Sequence, residues 1–275
     1  IGRRAGVPVH ISHLKGGTLA EIDSILTYID TIALNEVSFS FDVYPYMPGS
    51  TMLSYLLPYE VWEGGLLNAC ARLTDPLVRE RFGVLLEGFR LEGIHIAWTG
   101  GKENSRFQGT NLQDYVRQTH KPAAEALCDL LIEEHLAVLL VFDHGEDRLV
   151  DPFLAHPKFT LGTDGIYFKD GMVHPRVCGS ATRIIGPLVR DRRLFTLEEA
   201  VRKVSGYPAE RFGLRDRGTV REGAFADLVV FDPQRVTDRA TYQDPHRLSE
   251  GILHVVVNGV PILADGRPIE MPGDE

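Results

Sequence analysis

The feature that most constrains this chain is the alternation of short apolar runs with helical segments through its first two-thirds. Val7–His13 reads as a strand and runs into Gly16-Gly17. Thr18 then opens a helix. Glu21 stands three residues on, the spacing of a capping box, and Leu19, Ile22, Ile25, Leu26 and Ile29 follow at helical spacing as the expected inward face. Val37–Val43 alternates apolar and polar residues, as a strand with one buried face does. Ala123–His135 predicts a helix with Ala126, Leu127, Leu130 and Leu131 inward, Leu136–Phe142 a continuous apolar strand, and Phe159–Gly162 a shorter one. Thr196 and Glu199 mark a further helix start, with Leu197, Ala200, Val201 and Val204 inward. Strands separated by helices must cross over and pair in parallel, which predicts an α/β sheet or barrel.

Two stretches depart from this rhythm. Residues 45–120 are rich in Gly, Pro and polar residues and hold both tryptophans, so they are expected to form an insertion within an α/β part spanning residues 1–214. Residues 215–275 instead carry Ala226–Phe231, then Ile252–Val257 and Val260–Leu263 on either side of Asn258-Gly259, a strong hairpin signal. They predict a small all-β module.

The charge balance narrows the partners. With 29 Lys+Arg against 38 Asp+Glu the net charge is −9, which argues against nucleic acid or an anionic membrane surface and leaves a small molecule as the expected partner. Cys70, Cys128 and Cys178 form no framework and no CxxC pair, pointing to a reducing cytoplasm. The longest apolar run, Leu136–Phe142, is too short to span a bilayer. No HExxH, GxSxG, P-loop or Rossmann glycine pattern is present.

The candidate chemistry gathers at strand ends. His13 closes the first strand, and His10, an odd number of residues away, would face the other side and could not share a metal with it. A strand histidine is more often simply hydrogen-bonded in place, but in parallel barrels the chemistry sits at the C-terminal end of the strands. Asp164 follows Phe159–Thr163. It reads as a turn aspartate before Gly165, or as a carboxylate at a strand mouth serving as metal ligand and general base. Asp42 and Tyr44 share a face at the strand end that runs on to Gly49-Ser50-Thr51; a tyrosine beside a proline is usually a packing residue, but Tyr44 would sit at the same strand end as His13 and Asp164. Arg176, in His174-Pro175-Arg176, is a surface residue or a two-pronged carboxylate binder.

These segments, in this order, resemble the metal-dependent amidohydrolase superfamily, and within it the N-acyl-D-amino-acid deacylases (D-aminoacylases). The resemblance is carried by His10–Lys15, Asp42–Tyr46 with Gly49–Leu53, Gly162–Gly165, His174–Arg176, Phe195–Val201, and the stretch from Arg211 through Ala226–Pro233 to Gly259. It implies a (β/α)8 barrel with zinc at its mouth and a small β-sandwich, acting on N-acyl-D-amino acids. His13 would be a zinc ligand from the sixth barrel strand and Asp164, after the eighth, the catalytic base and a weaker metal contact. Tyr44, Ser50 and Arg176 would position the substrate, with Arg176 taking its α-carboxylate.

One departure bears on all of this. Members of the family bind metal through a His-x-His pair on the first strand, a cysteine a little later and a histidine on the fifth strand, and this sequence has no His-x-His. It also does not begin with Met. The expectation is therefore the C-terminal part of such a protein: the last three barrel strands, with His13 and Asp164 as an incomplete metal site, inactive alone. A cyclic-amide hydrolase of the dihydroorotase or hydantoinase kind, and a non-catalytic remnant of the fold, are the alternatives.

Overall fold

A computed structural model describes residues 1–270, so the last five residues of the expected C-terminal module, 271–275, lie outside the described residues. In chain order the strands are β1 (Val9–Ile11), β2 (Phe39–Val43), β3 (Ser50–Met52), β4 (Ile94–Thr99), β5 (Val138–Phe142), β6 (Phe159–Leu161), β7 (Leu228–Phe231), β8 (Ile252–Val257), β9 (Val260–Ala264) and β10 (Arg267–Pro268). They make three sheets within a mixed α/β chain.

The first sheet is parallel, in the order β1-β2-β6, with Val9 opposite Phe39 and Phe41 opposite Phe159. Alternation along β2 divides its faces. Phe39, Phe41 and Val43 enter a core with Ile22, Phe153 and Phe159, while Ser40 and Asp42 turn to the other side and meet His10. The helix Leu19–Tyr28 that covers the apolar face starts in the expected capping box, Thr18 Oγ1 accepting from Glu21 N and Glu21 Oε2 from Thr18 N, both at 3.2 Å. Its inward face is narrower than the spacing predicts. Ile22 and Ile29 are buried, but Leu19 in the first turn is exposed. Thr196 and Glu199 likewise cap the helix Leu197–Val201, where Ala200 is buried and Val201 is exposed.

The second sheet is antiparallel, in the order β3-β5-β4. Of the expected run Leu136–Phe142, Val138–Phe142 forms a strand, but not one of the parallel set, and the antiparallel body reaches beyond residue 120. The reason is two-sided burial. Val138 and Leu140 enter one core with Phe82, Leu127 and Leu131, while Leu139 and Val141 enter another with Ala97 and Val173. A central strand covered on both faces reads as a continuous apolar run whichever way its neighbours point.

The third sheet is the expected C-terminal module, antiparallel in the order β10-β9-β8-β7. Asn258 and Gly259 join β8 to β9 with φ of 51° and 80°, the left-handed pair that a two-residue hairpin of this twist requires. Among the described residues no helix is long and apolar enough to cross a membrane.

Candidate functional site

The C-terminal ends of β1, β2 and β6 lie side by side, and each feeds a turn carrying a polar residue. After β1, His13 takes a left-handed φ of 43°. Its backbone N–H donates to Asp42 Oδ1 at 2.8 Å, Ser12 Oγ donates to Asp42 Oδ2 at 2.9 Å, and Leu14 N–H donates to the Asp42 carbonyl at 2.9 Å. β1 ends at Ile11, so strand alternation does not extend to His13. His10 is separated from it for another reason: its ring nitrogens are engaged by Ser40 Oγ at 2.7 Å and Asp42 Oδ2 at 2.8 Å.

Two residues beyond His13, Lys15 Nζ donates to the carbonyls of Tyr46 and Met47 at 2.7 and 2.9 Å and stands 3.6 Å from the centre of the Tyr44 ring. Burial lowers its pKa to about 7, and the positive charge of Arg176 works in the same direction. The Arg176 guanidinium also lies over the Tyr44 ring, 4.4 Å from its centre. Burial pushes the Tyr44 phenol up, so it stays protonated.

Arg176 opens the helix Arg176–Ile185 and is fully buried. Nη1 is 2.9 Å from Asp164 Oδ2, and Nη2 donates to the Ser50 carbonyl at 3.3 Å. Nε and Nη1 lack an aligned hydrogen-bond acceptor among the described residues, even though Nη1 is close to the carboxylate. A buried guanidinium with unspent donors is costly unless something else meets them. Asp164 has a left-handed φ of 46°, which an aspartate tolerates better than most side chains, and it keeps part of its carboxylate open to solvent.

His174 fixes this arginine. Its Nδ1 accepts the Arg176 N–H at 3.0 Å and its Nε2 faces the Pro48 carbonyl at 3.1 Å, so these partners assign the neutral tautomer with the proton on Nε2. Burial, then Arg176 and Lys15, push its pKa down to about 2. The unfolded chain takes up a proton near pH 6.5 that the folded one refuses. Stability from this group is therefore full above pH 6.5 and is lost as the pH falls from there towards 2. Thermal melting followed down this range is expected to show the loss, and His174→Gln to flatten it; an unchanged slope in the variant would remove His174 from the account.

Tyr44, Ser50, Asp164 and Arg176 are thus brought together. Ser50 contributes its carbonyl, since its hydroxyl donates to the Leu140 carbonyl of β5 at 2.7 Å. His13 stands apart. Its side chain is exposed and makes no hydrogen bond or ion pair among the described residues. Cys178 is a half-buried free thiol, its pKa pushed up by burial. Among the described residues no group of three or more His, Cys, Asp or Glu side chains is placed to hold a metal ion. The roles of Lys15 and His174 were not legible in the sequence. Both lie in motifs with chemistry, but the residues packed on them come from the Tyr44–Pro48 loop, and for His174 also from Tyr242, which local spacing does not reveal. Tyr242, whose hydroxyl lies 3.3 Å from His174 Nε2, comes from a C-terminal loop with no motif at all.

Residues 124–263 match the family described as "Amidohydrolase family". The chain is 32% identical to N-acyl-D-glutamate deacylase of Alcaligenes xylosoxydans xylosoxydans over 282 residues, covering 99% of this chain and 49% of the relative. It is 34% identical to D-aminoacylase of the same organism over 265 residues, covering 95% and 47%. The crystal structure of N-acyl-D-glutamate deacylase from Bordetella bronchiseptica, complexed with zinc and a phosphonate mimic of the tetrahedral intermediate, superimposes with a TM-score of 0.73 at 30% identity, covering 97% of this chain and 50% of that one. The chain spans about half the length of the curated relatives it matches.

Proposed function

This chain belongs to the amidohydrolase family, and on that premise we propose that it serves the hydrolysis of the amide bond of N-acyl-D-amino acids to a carboxylate and a D-amino acid. The observation that carries the reading is Arg176: fully buried, stacked on Tyr44, 2.9 Å from Asp164, with donors left over. Such a fork suits the α-carboxylate of an open-chain substrate, which would have to displace the groups that now cover Arg176 to meet it, and an amide held by that end would lie beside the Asp164 carboxylate. Asp164 acts as general base towards the attacking water and returns the proton to the leaving amine. Tyr44 and Ser50 shape the pocket around the amino-acid part. In this reading β1, β2 and β6 are neighbouring strands of a (β/α)8 barrel within residues 1–214, and residues 215–275 belong to a small β-sandwich. The likeness in fold to the Bordetella bronchiseptica deacylase supports both. Three free cysteines fit a reducing compartment, the cytoplasm.

Zinc is the ion we assign to the reaction, supported by its presence in that related structure. When bound it would polarise the acyl carbonyl and acidify a water. The described residues do not make a site for it alone. His13 and Asp164 would be this chain's contacts, whereas a catalytic zinc takes about three protein ligands. The purified 275-residue chain, loaded with zinc and dialysed, is expected to retain well under one ion per chain by elemental analysis. Stoichiometric zinc surviving a chelator would overturn that count of ligands. The function itself is tested by assaying the complete product of the gene against N-acetyl-D-amino acids, their L enantiomers and hydantoins. Turnover of hydantoins alone would transfer the site to the cyclic-amide hydrolases.

A further inference from the structure

We propose that Asp42 is a positioning residue that sets His13 and Asp164 relative to each other from the middle strand of the parallel sheet. Its consequence for catalysis rests on the function proposed above; its geometry does not. Asp42 lies one residue before the end of β2, with β1 on one side and β6 on the other. Towards β1 its carboxylate and carbonyl accept from Ser12, His13 and Leu14, so it holds three consecutive residues of the turn that carries His13. Towards β6 it fills the space over Gly162. A Cβ on Gly162 would stand 2.5 Å from the Asp42 carboxyl carbon, so only glycine lets the chain pass there on its way to Thr163 and Asp164. Gly162 does not have a positive φ, and the requirement is one of close approach alone.

The carboxylate is itself fixed from behind. Arg211 Nε donates to Ser40 Oγ, Ser40 Oγ lies 2.7 Å from His10 Nδ1, and His10 Nε2 lies 2.8 Å from Asp42 Oδ2. With Ser40 Oγ donating to His10 Nδ1 and His10 Nε2 donating to Asp42, every bond in this chain has one donor and one acceptor. Asp42 therefore has its oxygens occupied by Ser12, His13 and His10, which suits a strut and not a base. The turns on its two sides both hold a non-glycine residue in the left-handed region, His13 at 43° and Asp164 at 46°. Such conformations persist where the surroundings over-determine them.

Two variants test this. Asp42→Asn keeps the shape and loses the charge; Gly162→Ala leaves Asp42 intact but drives a methyl into its carboxylate. In the 275-residue chain, both are expected to raise hydrogen exchange of the His13 amide at least tenfold, by NMR or by mass spectrometry of the peptide that contains it. In the complete enzyme both are expected to lower kcat at least 100-fold while KM stays within threefold, because the Arg176 fork is untouched. Unchanged His13 exchange in Asp42→Asn overturns the proposal. So does a loss shared equally between kcat and KM with a lowered melting temperature, which would make Asp42 merely structural. If the wild-type enzyme shows no deacylase activity, the proposed function falls, and the exchange measurement still decides whether Asp42 holds the His13 turn and whether Gly162 acts on it.

Discussion

Asp164→Asn in the complete enzyme is expected to lower kcat on N-acetyl-D-amino acids by about 10²- to 10⁴-fold, the range in which a positioned general base contributes, with KM close to that of the wild type. The amide preserves the shape of the side chain and an oxygen facing Arg176, but it cannot take a proton from the attacking water or return one to the amine. The variant should also fold. Asp164 is paired with a buried guanidinium, and removing one member of a fully buried pair costs about 3–5 kcal/mol, but 35% of this carboxylate side chain is exposed and solvent screens much of that penalty. Melting measured alongside turnover separates the two effects. A folded variant with near-normal turnover would remove Asp164 from the chemistry and would leave its ion pair with Arg176 as a structural contact.

What the sequence made legible, and what it did not, follows from the range of each signal. Capping boxes at Thr18 and Thr196 and the Asn258-Gly259 turn involve residues at most three apart, and all three stand in the structure as read. The parallel pairing of β1, β2 and β6 follows from the helices between them. Leu136–Phe142 misled on pairing because hydrophobicity reports how many faces are buried and not the direction of the neighbours. Leu19 and Val201 fit the helical period yet are exposed, since periodicity marks a face without saying how wide the covering layer is. In the site, Arg176 and Asp164 stand in separate short motifs with chemistry, and neither motif contains the contact between them across twelve residues. Lys15 and His174 meet on the Tyr44–Pro48 loop, about 30 and 126 residues away from them in the chain, a long-range packing that no window of sequence contains.

That packing bears most directly on Arg176. Arg176→Met fills the space of the side-chain stem and removes the fork. For N-acetyl-D-amino acids, kcat/KM is expected to fall about 30- to 4,000-fold, the equivalent of the roughly 2–5 kcal/mol lost when one member of a buried, hydrogen-bonded charge pair is truncated. Arg176→Lys should fall between the wild type and Met, because an ammonium keeps the charge but not the planar pair of donors. The control lies in the substrate. An N-acetyl amine with no α-carboxylate has nothing for the fork to hold, so it should be a poor substrate of the wild type and change little on substitution. Arg176 also donates to the Ser50 carbonyl and stacks on Tyr44, and a collapse of that packing would penalise both substrates alike. An equal loss on the two would therefore reduce Arg176 to a buried brace for the Ser50 loop. A loss confined to the carboxylate-bearing substrate ties its unspent N–H groups to recognition of the amino-acid end.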